Sequence, residues 1–363
     1  MTQPKRTRLL GLLAVASLAF AACSGGATTA PTPAPTPTAA PDATPAPTEP
    51  PGTLPTPELT SVKIGLSVTE TSQFASKAAE VLGIFAENGI TAEVLVFEGD
   101  GKTTAALQAG QLDVAMVGVS SAVSSQITDS PMVVLSVNAV LLTDNIVCQG
   151  DVKTADDIKG KRIAISTFGG TSNGAALLGI KALNLTTNDV VITQVGGQSA
   201  RIAALQGGSI ECAVVDSNLE DDMIAQGFSI LVHLKTAGVE WGRSGMAVRK
   251  DWLAQNPNTA LVLVASALAA QNLYWTDPAK MAQAYADFNQ LDLADAEKQV
   301  TDFVEIGNRS MTWTDGAFEN PKEVLATVNP DITDVPVSSA YDRSFLQKLV
   351  DIGYYEKIGS PAP

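Results

Sequence analysis

The sequence predicts an α/β protein of two similar lobes, each a mostly parallel sheet flanked by helices, with a helical C-terminal segment. Three observations predict it. Short β-rich runs alternate with helical stretches through the body of the chain, the pattern of βαβ units. "TAALQAGQLDVAMVGVSS" (Thr104 to Ser121) returns as "RIAALQGGSIECAVVDSN" (Arg201 to Asn218), the two AALQ segments lying 98 residues apart. From about Asp251 the pattern turns helical. Solenoid repeats have periods of about 20–50 residues, so an offset near 98 marks two copies of a domain.

Residues 1–22 read as a leader to be removed. Lys5, Arg6 and Arg8 precede the apolar run Leu9 to Ala22, which is too short for a spanning helix and ends in small residues before Cys23. "FAAC" resembles the lipobox of bacterial lipoproteins, which implies lipidation at Cys23, although Phe20 stands where Leu is usual. Residues 23–59 read as a tether. Eleven of the twenty prolines lie between Pro31 and Pro57, without apolar periodicity, so this stretch forms no core and favours an extended polyproline conformation. Lipidation of Cys23 would leave Cys148 and Cys212, which either pair or stay as buried thiols; spacing does not decide.

The body then unfolds in order. Val62–Ser67 is a strand, Gln73–Asn88 a helix stopped by Gly89, Ala92–Phe97 a strand, Thr103–Ala109 a helix ended by Gly110, and Asp113–Val117 a continuous apolar strand of the kind buried in parallel sheets. Another helix and the strand Met132–Val140 follow. The second half repeats this with strand Lys161–Ser166, helix Asn173–Leu183, strand "DVVITQV", helix Ser199–Gln206 and strand "ECAVVD". The helical tail is expected to return to the first lobe. The expected division is residues 60–143 with 250–363 in lobe 1 and residues 144–249 in lobe 2, with crossings near Asp144–Gln149 and Gly242–Arg249.

The ordered set "VKIGLSVTETSQF", "FAENGITAEVLVFEGDGKTTAALQAGQLDVAMVGV", "ADDIKGKRIAISTFGGTSNGAALLGIKALNL", "VGGQSARIAALQGGSIECAVVDS" and "MAVRKDWLAQNP" resembles the substrate-binding proteins of ABC importers, in the nitrate/sulfonate/taurine and thiamine-precursor group. The likeness runs from about residue 61 to 350. It implies a type II periplasmic-binding fold whose two lobes close on a ligand, and a lipid-anchored form that docks on a membrane permease. The sequence departs at Glu211 and Cys212, where relatives often have Asp.

In open parallel sheets ligands bind beyond the carboxyl ends of the strands. Four exits supply candidates: Thr69, Glu70 and Thr71; Ser120 and Ser121; Thr167, Phe168, Gly170, Thr171, Ser172 and Asn173; and Asp216, Ser217 and Asn218. Three lead into helices, whose N-termini offer free N–H groups. The same Ser, Thr and Asn residues are also ordinary N-caps. At the return crossing, Trp241 is a candidate to stack on a flat ligand and Arg243 to pair with a carboxylate or sulfonate. Asp216 argues the other way, for an N–H donor such as an amine or pyrimidine.

Enzyme readings lack parts. "GDGKTT" has Val96 where a phosphate loop needs glycine, "GQSAR" and "GRSGM" lack the flanking glycines of a nucleophile elbow, and the single histidine, His233, sits in an apolar run. No metal site or cofactor is expected. A net charge of −15 argues against nucleic acid. Together with the lipobox-like end and the polar strand exits, the resemblance implies a monomeric extracytoplasmic solute-binding lipoprotein, taking a small organic anion or pyrimidine-like solute to an ABC permease. A surface lipoprotein using the fold for sensing or adhesion is the alternative.

Overall fold

The computed structural model describes residues 50–237 and 239–363. The leader, Cys23 and the Pro-rich stretch up to residue 49 lie outside the described residues. The first lobe is built from β1 (Ser61–Leu66), α1 (Thr71–Val81), α2 (Ile84–Glu87), β2 (Thr91–Val96), α3 (Asp100–Gln108), β3 (Val114–Val117), α4 (Val119–Ser125) and β4 (Met132–Leu141). The second holds β5 (Asp144–Cys148), β6 (Arg162–Ile165), α5 (Thr171–Ala182), β7 (Val191–Gln194), α6 (Gln198–Gln206), β8 (Cys212–Asp216), α7 (Glu220–Ala225) and β9 (Ser229–His233). β10 (Glu240–Arg249) leads back to the first lobe. There α8 (Lys250–Gln255), α9 (Pro257–Thr276), α10 (Pro278–Asn289), α11 (Leu293–Ile306), α12 (Gly316–Val328), α13 (Ser344–Asp351) and α14 (Tyr354–Lys357) follow.

Each lobe carries one five-stranded sheet, ordered β2-β1-β3-β10-β4 and β7-β6-β8-β5-β9. In each, the strand arriving from the other lobe, β10 or β5, runs antiparallel between its two neighbours, while β1 and β6 pair in parallel on both sides. β3 and β8 are buried along their whole length, as strands covered by helices on both faces must be. α9 is apolar nearly all round and runs through the main core, which joins the first sheet to the C-terminal helices.

Four expectations are corrected. The strand at 240–249, assigned by sequence to lobe 2, belongs to the first sheet: Met246, Ala247 and Val248 fill the first core, and β10 finds partners on both sides in β3 and β4. The return crossing therefore lies earlier, beside the outgoing one, where Leu142 N–H donates to Val239 O at 3.3 Å. The helix expected over 73–88 breaks at Gly83, which adopts a left-handed φ of 78°. Residues 50–59, expected in the tether, pack on lobe 1 instead. Gly52 N–H donates to Ile352 O at 2.5 Å, and Glu58 accepts from the amides of Asn258 (2.9 Å) and Thr259 (2.6 Å) at the start of α9. A carboxylate there meets free helix N–H groups and the positive end of the dipole, which docks this segment on lobe 1. The predicted start of α3 moves from Thr103 to Asp100, which brings a carboxylate to the cleft.

Cys148 and Cys212 form a disulfide; they lie opposite each other on β5 and β8, with Cα atoms 4.0 Å apart and 64 residues of separation. Closing a loop of that length removes about 4 kcal/mol of unfolded-state entropy in the chain-entropy account. The double variant Cys148→Ala/Cys212→Ala is expected to lose about 2–4 kcal/mol of unfolding free energy, measured by denaturant titration, with ligand affinity kept.

The duplicated sequence repeats its polar braces as well as its core. Asp113 Oδ2 accepts from Lys63 N–H at 2.8 Å, tying β3 to β1; Glu211 Oε2 accepts from Arg162 N–H at 3.0 Å, tying β8 to β6. Glu211, the departure noted in the sequence, also takes Arg162 Nε (3.0 Å) and Nη2 (2.6 Å) in a two-pronged pair. That hydrogen bonding brings its carboxyl from 4.5 to about 2. A carboxyl lower in the folded state stabilises above its unfolded pKa and loses that contribution as pH falls toward 2. Glu211→Gln is therefore expected to flatten the acid limb of stability between pH 4.5 and 2 and to change little near pH 1, by thermal melts against pH.

Candidate functional site

The exits of both sheets face one another at the crossing. A cavity of about 50 Å³ lies between the lobes. Lobe 1 contributes Ser67, Glu70, Ser72, Gln73, Gly99, Asp100 and Arg243 to its wall, and lobe 2 contributes Asp144, Ser166, Thr171, Ser172, Gly197, Gln198 and Arg201. Local backbone geometry explains the placement. Gln73 Oε1, in the first turn of α1, accepts from Ser67 N–H at 2.8 Å; Ser172 Oγ, in the first turn of α5, accepts from Ser166 N–H at 2.8 Å. Asp100 Oδ2 accepts from Gly118 N–H at 3.3 Å, and Gln198 Oε1 from Asp216 N–H at 2.9 Å. Each first-turn side chain ties a helix start to a strand exit, once per lobe.

Arg243 occupies the centre of the charges. Its Nη1 donates to Asp144 Oδ2 and Thr143 Oγ1, each at 2.7 Å, and its Nη2 to Glu70 Oε2 at 2.7 Å and to Asp216 Oδ2. Glu70 and Arg243 belong to lobe 1; Asp144 and Asp216 to lobe 2. One planar guanidinium thus spans both lobes, as a fixed fork of donors can. Burial pushes the carboxyls of Glu70 and Asp100 up. Arg201 is 5% exposed and donates Nε to Val214 O (2.8 Å) and Nη1 to Gly196 O (2.9 Å). Burial pushes its pKa down, and among the described residues it forms no ion pair.

The lobes touch closely at Gly118, just past the end of β3. A Cβ there would overlap Thr171 Oγ1 of the other lobe and lie 3.0 Å from Asp100 Oδ2 and 3.4 Å from Ser120 Oγ. Among the described residues, the buried Ser120 Oγ and Thr171 Oγ1 find no hydrogen-bond partner.

The predicted residues divide. Glu70, Thr171, Ser172 and Arg243 line the central cavity. Thr71, Asp216, Ser217 and Asn218 line a flanking pocket of about 230 Å³ that shares Glu70 and Arg243. Ser121, Thr167, Phe168 and Gly170 line a second of about 230 Å³ on the other side. Ser120 lies behind Gly118, and Thr69 is exposed, its carbonyl taking Asn289 Nδ2 at 3.3 Å. Asn173 is fully buried, with Oδ1 accepting from Gly169 N–H at 3.0 Å, and borders an apolar groove of about 990 Å³ between α5 and α12. Trp241 does not stack on a ligand: it is fully buried in the second core, where a Cβ on Gly174 would overlap its ring. Arg243 is not a free anion receptor, because carboxylates already hold it.

Sequence reasoning missed Asp100, Asp144, Gln198 and Arg201. They come from the exits of β2 and β7 and from the first residue of β5. One signal was available: Gly99 and Gly197 share the 98-residue offset, and each opens a helix whose first residue, Asp100 or Gln198, performs the same brace.

Two α/β lobes joined by paired crossings, with a polar cavity between facing strand exits, define the type II periplasmic-binding fold. Residues 55–288 match the model of the NMT1-like family, and the chain belongs to that family. Solved structures share the fold. The alkanesulfonate-binding protein SsuA from Xanthomonas axonopodis pv. citri is 15% identical, with 79% of this chain and 99% of that one covered at a TM-score of 0.65. The periplasmic nitrate-binding protein NrtA from Synechocystis PCC 6803 is 16% identical, with 85% and 92% covered at 0.66. The desulfurization enzyme DSZB is 14% identical, with 81% and 99% covered at 0.56, so the fold also carries catalysis. A search of curated protein sequences finds no match.

Proposed function

We propose that the protein is an extracytoplasmic solute-binding protein that delivers a small polar solute to an ABC importer by closure of its two lobes, and that its role is binding rather than chemistry. The observation that carries this is the central cavity: residues of both lobes wall it, so a ligand held there contacts both at once. Only contacts made in the closed state shift the population toward closure. The structures of sulfonate- and nitrate-binding proteins with the same fold support the reading. Lipidation at Cys23 and the Pro-rich stretch behind it would anchor and extend the protein from the membrane; among the described residues no helix is long and apolar enough to cross one. Of the two ligand chemistries open at the sequence level, the donor-rich, pyrimidine-like one suits the cleft better, since Arg243 is already held by carboxylates.

Native mass spectrometry of the purified protein, followed by small-angle scattering with and without the solute it carries, tests the proposal. A retained small molecule whose removal expands the particle is expected. A protein that retains nothing, and whose scattering and melting are unmoved by any fraction of a metabolite extract, would refute it.

A further inference from the structure

We infer that the cleft selects a compact organic cation, an ammonium or amidinium, because its walls bury more carboxylates than guanidiniums. The inference rests on the solute-binding reading and names the ligand's charge. Four carboxylates, Glu70, Asp100, Asp144 and Asp216, meet at the cleft, against two guanidiniums, Arg201 and Arg243. Asp100, Asp144, Asp216 and both arginines are each 9% exposed or less, and the Glu70 side chain is 15% exposed. The pairing is uneven as well. Glu70, Asp144 and Asp216 share the one fork of Arg243. Asp100 is held by neutral donors, Ser67 O–H at 2.6 Å and Gly118 N–H at 3.3 Å. Arg201 donates to the backbone carbonyls of Val214 and Gly196.

A buried charge without a partner is costly, and the structure leaves negative charge in excess. An anion entering this cavity would add to the excess; a cation would relieve it. Burial raises the carboxyls of Glu70 and Asp100, and a cation beside them would favour their ionised form. Arg201 lines the same cavity and can donate to an acceptor atom of the ligand, which favours a cation with a polar end over a bare one. The cavity's volume, about 50 Å³, limits the charged group to a few atoms.

Planar isosteres of different charge give the test: acetamidinium, acetamide, acetate and nitrate, each titrated at constant ionic strength into the ligand-free protein, by thermal shift and calorimetry. Acetamidinium is expected to raise Tm and bind at least tenfold more tightly than acetamide, with no response to acetate or nitrate. Asp100→Asn keeps an acceptor for Gly118 N–H and turns its amide N–H toward Ser67 Oγ, a hydroxyl that can accept as well as donate. It is expected to melt no lower than the parent when unliganded and to lose most of the preference for acetamidinium over acetamide. Glu70→Gln repeats the measurement from a second wall. If acetate or nitrate stabilises and acetamidinium does not, the charge inference is overturned while solute binding stands. If none of the four binds, the inference is likewise overturned, and the mass-spectrometric test above decides separately whether the cleft binds any solute.

Discussion

Gly118→Ala is expected to keep the lobes apart. Gly118 has φ −61° and ψ 143°, ordinary for alanine, so the backbone of the isolated lobe should accept the methyl group. The main obstacle comes from across the cleft, where the Cβ would overlap Thr171 Oγ1. Overpacking of this kind costs about 1–3 kcal/mol, here borne mostly by the closed state, since within its own lobe the methyl group meets only the side-chain oxygens of Asp100 and Ser120, at 3.0 and 3.4 Å. Ligand affinity should therefore fall roughly 5- to 150-fold, with the melting temperature of the unliganded protein nearly unchanged. Scattering should show a larger radius than the parent's. Thr171→Ala removes the obstructing oxygen, which has no partner to lose, so the double variant should recover affinity. A Gly118→Ala protein that binds and closes like the parent would show that the lobes need not meet at this point.

Arg243→Met is expected to be the most destabilising single change in the cleft. It leaves Glu70, Asp144 and Asp216 buried with their common partner gone, and removing one side of a buried ion pair costs about 3–5 kcal/mol. Arg243→Lys should recover only part of this, because one ammonium cannot serve acceptors that a planar fork reaches at four points. The deficit should depend on pH. A carboxyl pushed up by burial, as Glu70 is, binds more protons folded than unfolded, so lowering the pH favours the fold. Denaturant titrations of Arg243→Met should accordingly approach the parent as pH falls from 7 to 5. A variant as stable as the parent at pH 7 would mean that the carboxylates are already neutral in the folded protein.

These expectations rest on features of unequal legibility. The phrase beginning AALQ was readable as helix, glycine stop and buried strand, because hydrophobic periodicity and glycine act within a few residues of chain. Its meaning was only half readable. The structure shows that each copy also carries a brace between a helix start and a strand exit, through Asp100 in one lobe and Gln198 in the other. Those residues differ in type, and nothing local marks them as equivalent. Trp241 shows the opposite failure. An aromatic residue at a crossing looks available to a ligand, but Gly174, far away in sequence, makes room for its ring in the core.

By itself, then, the sequence determined the βαβ units, the duplication, the helical tail and the polar character of the strand exits, since each is written in spacings shorter than one element or in a repeat compared with itself. Only the tertiary structure decided the rest. Cys148 meets Cys212 because β5 enters the second sheet antiparallel beside β8, a register set by the sheet and not by the 64 residues between them. Arg243 finds acceptors 27, 99, 100 and 173 residues away because β10 returns across the lobes to the first sheet. The charge of the cleft is a sum over residues that only folding brings within reach of one another. Burial then raises the cost of its imbalance from a surface detail to a constraint on what can bind.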